Sequence, residues 1–274
     1  MRHAARGIVP VILFLIVVFG APWVLRPLLP RPQSVWSALA NFAPGVWMPT
    51  VAALALIAAF NGISGLRREL RERLRFPHEA GGWLCVAVVA PVIVTEAGVI
   101  AARMVGEGQA FIPVDAIWIT VLLQIATGAV GEEFGWRGFM LSRLGPLFTP
   151  RWAALAMALL WCSWHVPAFF VPELPHYTMP MIPALLTTLA FGVFLAFLFD
   201  RAHGSILATI PAHLSLNIAL AIGGVQLTSQ VFWWVTGSVY AICAAWMLMQ
   251  MTGPQRCANV RPLSQDSESA SDLK

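Results

Sequence analysis

Apolar runs of about twenty residues, separated by short polar segments, make up most of the sequence. A run of this length is what a helix needs to cross the hydrocarbon core of a bilayer. The pattern therefore predicts an all-α fold, a polytopic membrane helical bundle with about eight transmembrane helices. The runs lie near residues 8–25, 46–60, 83–104, 112–130, 151–171, 181–199, 205–222 and 231–250.

The composition agrees with a membrane location. Hydrophobic residues make up 58% of the 274 positions, charged residues make up 11%, and the mean hydropathy is +0.74. A soluble domain of this length could not bury so much apolar surface. The four cysteines include no Cys-x-x-Cys pair that would indicate a structural zinc or redox site. We therefore expect an integral, multi-pass protein embedded in a lipid bilayer.

The basic residues predict the orientation. With the N-terminus in the cytoplasm, most of the 17 Lys and Arg residues fall on the cytoplasmic side, including the cluster at 67–75. By the positive-inside rule both termini are then cytoplasmic, in the plasma or inner membrane. The net charge of +4 is explained by this topology, so it indicates no nucleic-acid partner.

Two polar segments flank these runs. The first, GLRRELRERLRF, alternates acids and bases and places Leu66, Leu70 and Leu74 on one face, which predicts an amphipathic helix at the cytoplasmic surface. The second, residues 253–274, is rich in serine and acidic residues and predicts a disordered cytoplasmic tail. The remaining residues, 1–252, are predicted to form the transmembrane domain.

A charged motif follows the fourth run, in the stretch TGAVGEEFGWRGF from Thr127 to Phe139. An ionisable residue in a membrane segment is costly and therefore indicates a function. In a helix, Glu133 and Arg137 form an i,i+4 ion pair, whereas Glu132 lacks that partner and borders a face of closely spaced glycines. This geometry predicts a structural role for Glu133 and acid/base chemistry for Glu132. The glycines are Gly128, Gly131, Gly135 and Gly138.

Two later runs also carry polar residues at helical spacing. In the fifth, Trp161 and His165 share a face, and in the seventh His213 and Asn217 do so. A carboxylate can deprotonate a water, imidazoles can orient the water or bind a metal, and an amide can stabilise an oxyanion. Together with Glu132, these residue types predict hydrolytic chemistry.

These motifs, in this order, resemble the motif series of the CPBP family of intramembrane endopeptidases. That family includes the CAAX prenyl proteases, and bacterial members linked to bacteriocin processing and self-immunity. The resemblance covers Glu132 to Asn217, within a motif core of about residues 112–222. It implies a peptidase that hydrolyses a peptide bond of a membrane-associated protein or peptide.

The resemblance also implies a role for each motif residue. Glu132 would activate the attacking water with help from His165, while His213 and Asn217 would hold the water or the oxyanion. Glu133 and Arg137 would support this site. The sequence departs from the family at Trp161, where phenylalanine is usual, and this exchange puts the shape of the pocket in doubt. These seven residues are the predicted site: Glu132, Glu133, Arg137, Trp161, His165, His213 and Asn217.

The requirement for a metal stays open at this stage. The family has been described both as metalloproteases and as glutamate-dependent proteases, and this sequence lacks the His-Glu-x-x-His signature of zincins. Glu132, His165 and His213 could bind a divalent cation such as Zn²⁺.

Two other functions also stay open. A proton-coupled transporter could use glutamate and histidine as a proton relay, although no internal repeat is visible in the runs. A bacteriocin self-immunity or scaffold protein could keep the fold without proteolysis, although the intact motif residues argue against this.

Overall fold

The computed structural model describes residues 2–25, 35–76, 78–107, 114–224 and 226–252. Across these residues the chain is helical and contains no β-strand, which confirms the predicted all-α class. The predicted tail, residues 253–274, lies outside the described residues.

The chain forms ten α-helices within the described residues, and an eight-residue π-helix, Phe134–Leu141, lies between the fifth and the sixth of them. Short 3₁₀ turns at His78–Ala80, Val166–Phe170 and Pro175–Thr178 belong to the connections. The helices are α1 (Arg2–Leu25), α2 (Val35–Arg73), α3 (Gly81–Met104), α4 (Val114–Thr127), α5 (Ala129–Glu133), α6 (Ser142–Leu144), α7 (Pro150–His165), α8 (Met181–Arg201), α9 (Thr209–Ile222) and α10 (Gln230–Gln250).

Six helical segments of the described chain are long and apolar enough to cross a membrane, which confirms the polytopic class. The count of eight is not confirmed, because the first and seventh predicted spans correspond to shorter apolar helices, Ile8–Pro22 and Thr209–Ile222. The six segments are Ala43–Arg73, Gly81–Met104, Ile117–Leu144, Pro150–Phe170, Met181–Arg201 and Gln230–Gln250.

Helix α8 forms the centre of the bundle. Its residues from Ala190 to Phe199 are all buried, on every face of the helix. A helix that is hydrophobic all round must be surrounded by other elements. Helices α7, α9 and α10 all pack against it, so α8 holds the relative positions of α7 and α9, which carry the predicted histidines.

The predicted amphipathic helix is the final part of α2. At Gly62 the backbone has φ 68°, a conformation that favours glycine, and the chain kinks there before it continues to Arg73. Leu66 and Leu70 pack against the core as the pattern predicts. The same prediction is wrong for Leu74, which is 47% exposed because the helix has already ended at Arg73.

The end of α2 is joined to the connection between α8 and α9. Arg73 and Glu69 are buried and form an ion pair at 3.3 Å. The Arg73 backbone carbonyl accepts a hydrogen bond from the Ile206 amide at 2.9 Å, and Arg73 Nη1 donates to the Gly204 carbonyl at 3.3 Å. Arg143, which follows the π-helix, also approaches Glu69 at 3.7 Å. These contacts fix the start of α9 relative to the π-helix.

The fourth span differs from its predicted bounds. The sequence predicts an end near residue 130, but the apolar segment runs from Ile117 to Leu144, so the two glutamates lie near its middle. The backbone breaks at Gly128, where Trp47 Nε1 donates to the Ala126 carbonyl at 2.6 Å. Residues 131–140 are all buried, so protein rather than lipid surrounds the charged groups. Burial within protein is what makes charges tolerable at this depth.

Candidate active site

Two glycines allow the charged segment to approach α2. A Cβ atom at Gly135 would collide with the backbone of Pro49, and one at Gly131 would lie 3.1 Å from the Val46 carbonyl oxygen. The predicted close helix contact is therefore confirmed at these two positions. Gly138 would make only ordinary contacts, and Gly128 lies at the helix break instead.

The buried carboxylate of Glu133 accepts hydrogen bonds from two side chains, those of Arg137 and His213. Arg137 Nη1 donates to Glu133 Oε1 at 2.8 Å, and both side chains have 0% exposure, so the predicted i,i+4 pair is confirmed. His213 Nδ1 donates to the same Oε1 atom, also at 2.8 Å. The sequence did not predict this second bond, which joins α5 to α9. Glu133 therefore orients a predicted site residue as well as pairing with arginine.

The bond to Glu133 also defines the proton on His213. A carboxylate oxygen only accepts, so Nδ1 of His213 carries a hydrogen and the neutral ring has its lone pair on Nε2. A histidine oriented through one ring nitrogen by a carboxylate presents the other nitrogen to a reacting group.

Trp161 contacts the charged and imidazole groups of the cluster. Its Nε1 donates to Glu132 Oε2 at 2.8 Å, and its ring lies 4.5 Å from the Arg137 guanidinium. The ring centroids of His165 and His213 lie 4.7 Å and 5.3 Å from it in edge-on contacts. The sequence predicted that Trp161 shapes the pocket, but it did not predict the bond to Glu132. The indole N–H, which phenylalanine lacks, was the signal available for it.

His165 is fixed at the end of α7. Its Nδ1 donates to the Trp161 carbonyl at 2.8 Å, so a neutral ring keeps its lone pair on Nε2. The ring is half-buried between Trp161 and Trp164, with the Trp164 centroid at 5.0 Å. The Trp161 ring thus contacts both His165 and His213.

Asn217 lies one turn beyond His213 on α9 and is half-buried. A Cβ atom at Gly128 would lie 2.8 Å from Asn217 Nδ2. Glycine at the helix break therefore lets the Asn217 amide approach the start of α5, close in sequence to Glu132. The structure thus brings residues of all three predicted motifs into one region.

The loop after α7 adds His176, for which the sequence predicts a solvated position because the residue lies in an external loop. That expectation was wrong, because His176 is half-buried, with its ring 5.4 Å from Phe169 and 5.8 Å from His165. Burial lowers the pKa of His176 from 6.5 to about 4, because the charged ring would lose hydration. His176 therefore covers His165 as a neutral ring near pH 7.

We expect acid to destabilise the protein partly through His176. Its pKa is lower in the folded state than in the unfolded state, so the unfolded chain binds more protons between pH 6.5 and about 4. Stability is fully present above that range and is lost as the pH falls through it. Thermal unfolding from pH 7.5 to 4 should show a smaller loss for His176→Gln than for the parent. Equal losses in both proteins would assign the acid sensitivity to other groups.

Several atoms of the three predicted metal ligands already take part in hydrogen bonds within the protein. Glu132 Oε2 accepts from Trp161, and Nδ1 of each histidine is used in another hydrogen bond. Among the residues that the structure describes, no three His, Cys, Asp or Glu side chains come together with a spacing that could hold a metal ion.

The fold and the cluster together define a class, a polytopic α-helical membrane protein with glutamate, histidine and asparagine gathered inside the bundle. Residues 114–219 match the family model described as type II CAAX prenyl endopeptidase, Rce1-like. This range contains all seven predicted site residues. The first three helices, α1 to α3, lie outside it.

A curated relative gives a second match. The chain is 23% identical over 137 residues to CAAX prenyl protease 2 of Methanococcus maripaludis. The match covers 48% of this chain and 50% of the relative, so the chain spans about half the length of that protein. Together the two matches support the resemblance to the CPBP intramembrane proteases that the motifs carry.

Proposed function

We propose that the protein is an intramembrane endopeptidase that hydrolyses a peptide bond of a membrane-associated protein or peptide, as a CAAX protease does. The observation that carries the proposal is the pair of adjacent buried carboxylates with different partners. Glu133 binds a cation and a histidine, whereas Glu132 is held by a neutral indole N–H. A carboxylate without an ion-pair partner is the better proton acceptor of the two.

In the proposed mechanism Glu132 is the general base. Its Oε2 atom is engaged by Trp161, which leaves Oε1 to accept one proton from a water molecule. The water oxygen then bonds to the carbonyl carbon of the substrate, and the carbonyl oxygen becomes an oxyanion. When the C–N bond breaks, the proton passes from Glu132 to the leaving amine. The same carboxyl group thus acts first as base and then as acid.

His165, His213 and Asn217 assist this base. The Nε2 atoms of both histidines are free to accept a hydrogen bond from the water and so to orient it. We assign donation to the oxyanion to the Asn217 side-chain amide, which lies beside the helix break. Glu133 and Arg137 hold His213 in the orientation that this role requires.

The proposal includes the membrane setting. Substrate reaches the site from the bilayer or its surface, and both termini of the protein lie in the cytoplasm, as the distribution of arginines predicts. The substrate class proposed here is a membrane-anchored polypeptide.

The test is cleavage by the purified protein in lipid nanodiscs. The probes are a farnesylated peptide that ends in a CAAX sequence and a panel of single-span membrane peptides, with products identified by mass spectrometry. We expect cleavage of one peptide bond in at least one probe, and a parallel sample treated with a chelator decides whether a divalent metal takes part. Absence of cleavage across the panel would contradict the proposal, as would cleavage that survives loss of Glu132.

A further inference from the structure

Trp161 lies where the groups of the proposed active site meet. It is 3% exposed, donates to Glu132, stacks under Arg137 and contacts the edges of both site histidines. Its position on α7 depends on Phe191 of the central helix α8, whose ring centroid lies 6.3 Å away. Its indole is therefore fixed from several sides.

We propose that Trp161 is a positioning residue that holds the Glu132 carboxylate in its reactive orientation through the indole N–H. The inference rests on the proposed function, because it assigns a role in the step that Glu132 performs. Trp161 bonds to the proposed base, so it acts through Glu132.

The hydrogen bond from Trp161 to Glu132 is short and buried. At 2.8 Å between Nε1 and Oε2 it has the length of a charge-assisted bond, and both side chains are almost fully buried, with 3% and 5% exposure. The indole N–H can only donate, so Glu132 Oε2 is the acceptor in this bond. It therefore selects one of the two carboxylate oxygens and leaves the other for the water.

Other charged and polar groups lie close to Glu132. Glu133 is next in the chain to Glu132, and its Oε1 atom already binds both Arg137 and His213. These partners would attract a free Glu132 carboxylate, because Arg137 lies 4.5 Å from the same Trp161 ring that binds Glu132. The indole N–H holds Glu132 against α7. It thereby keeps the roles of the two glutamates distinct.

Phenylalanine at position 161 would keep the ring contacts of Trp161 and lose its hydrogen bond to Glu132. A phenyl ring at position 161 would retain ring contacts with the histidines and with Arg137, but it would have no N–H to donate. Buried carboxylate oxygens that lose a donor are strongly penalised. The tryptophan, which differs from the residue usual at this motif position, is thus a functional feature of this chain as well as a larger wall of the pocket.

The experiment compares two replacements of Trp161 in the full-length protein in nanodiscs. One is Trp161→Phe, and the other introduces 3-benzothienylalanine, in which sulfur replaces the indole N–H without a change of shape. Both should lower kcat by about tenfold or more and change KM by less than about twofold, because the base is misplaced while substrate binding is kept.

A matched control is Trp233→Phe. Trp233 is 4% exposed and its Nε1 donates to the Leu227 carbonyl at 2.8 Å, away from the proposed site. This variant should keep the kcat of the parent. Equal losses of kcat in the Trp233 and Trp161 variants would contradict the inference and indicate a general effect of removing a buried indole. Parent kcat in the benzothienylalanine protein would contradict it directly.

A second readout does not depend on activity. The indole ¹⁵N–¹H signal of Trp161, assigned by its loss in Trp161→Phe, should move in Glu132→Ala because its acceptor is gone. An unchanged signal would overturn the hydrogen bond and with it the inference. If the parent cleaves no probe peptide, the proposed function fails even where this signal moves. If the parent is active and the Trp161 replacements leave kcat unchanged, the positioning role alone fails.

Discussion

Glu132→Ala should lower kcat for peptide cleavage by a factor of about 100 or more while the protein stays folded, as is typical when a general base is removed. The structure explains why folding should survive. Glu132 makes a hydrogen bond with Trp161 and takes part in no described ion pair, so its loss leaves no buried cation without a partner. Steady-state kinetics in nanodiscs and thermal unfolding of the same samples would measure both properties.

Glu132→Gln is the conservative control for that variant. Its side-chain oxygen can still accept from Trp161, but an amide cannot take a proton from water. We therefore expect a similar loss of kcat and an unfolding temperature close to that of the parent. Full activity in either variant would remove Glu132 from the proposed mechanism.

Glu133→Ala should damage stability and activity together. Arg137 has 0% exposure and its Nη1 atom bonds to Glu133, so the variant leaves a buried guanidinium without its hydrogen-bonded carboxylate. Removing one partner of a buried ion pair typically costs about 3–5 kcal/mol. Activity should fall as well, because His213 loses the acceptor that orients it. Unfolding measurements and yield in the membrane fraction would report the first effect.

A double replacement separates these two effects. In Glu133→Leu combined with Arg137→Met, both charges are gone, and stability should recover toward that of the parent. Activity should stay low, since His213 is still released. A single Glu133→Ala variant with the unfolding temperature of the parent would contradict the structural part of this argument. Recovery of activity in the double variant would contradict the role assigned to His213.

Local spacing predicted the contacts made within one helix. The Glu133 and Arg137 pair follows from residues four apart. Glycines on one helix face predicted that a helix packs closely there, at Gly131 and Gly135, but not that the neighbour is α2. Such contacts need only the helical repeat, which the sequence contains.

The helical repeat of one segment does not predict which side chains meet between two helices. The bond from His213 to Glu133 spans 80 residues, and the bond from Trp161 to Glu132 spans 29. They depend on how α5, α7 and α9 pack against α8, and no periodicity in a single segment encodes that packing. The sequence therefore predicted the pair of Glu133 with Arg137. It did not predict the bond from His213 to Glu133 or the bond from Trp161 to Glu132.

Hydropathy also misplaced the end of the fourth span. The two charged residues ended the apolar run near residue 130, whereas the structure continues the segment through the π-helix to Leu144. Hydropathy treats every position as if it faced lipid, but residues 131–140 face protein. The same limitation explains His176, whose loop position predicted solvent although it packs against His165.

The central claim is hydrolysis of a peptide bond by a water that Glu132 activates, and cleavage in H₂¹⁸O tests it most directly. The purified parent would be incubated in nanodiscs with a probe peptide that it cleaves, and the products would be examined by mass spectrometry. We predict one ¹⁸O atom in the new carboxyl terminus for the parent, and no product above background for Glu132→Gln in the same time. An unlabelled product, or labelled product at the same rate in both proteins, would contradict the account.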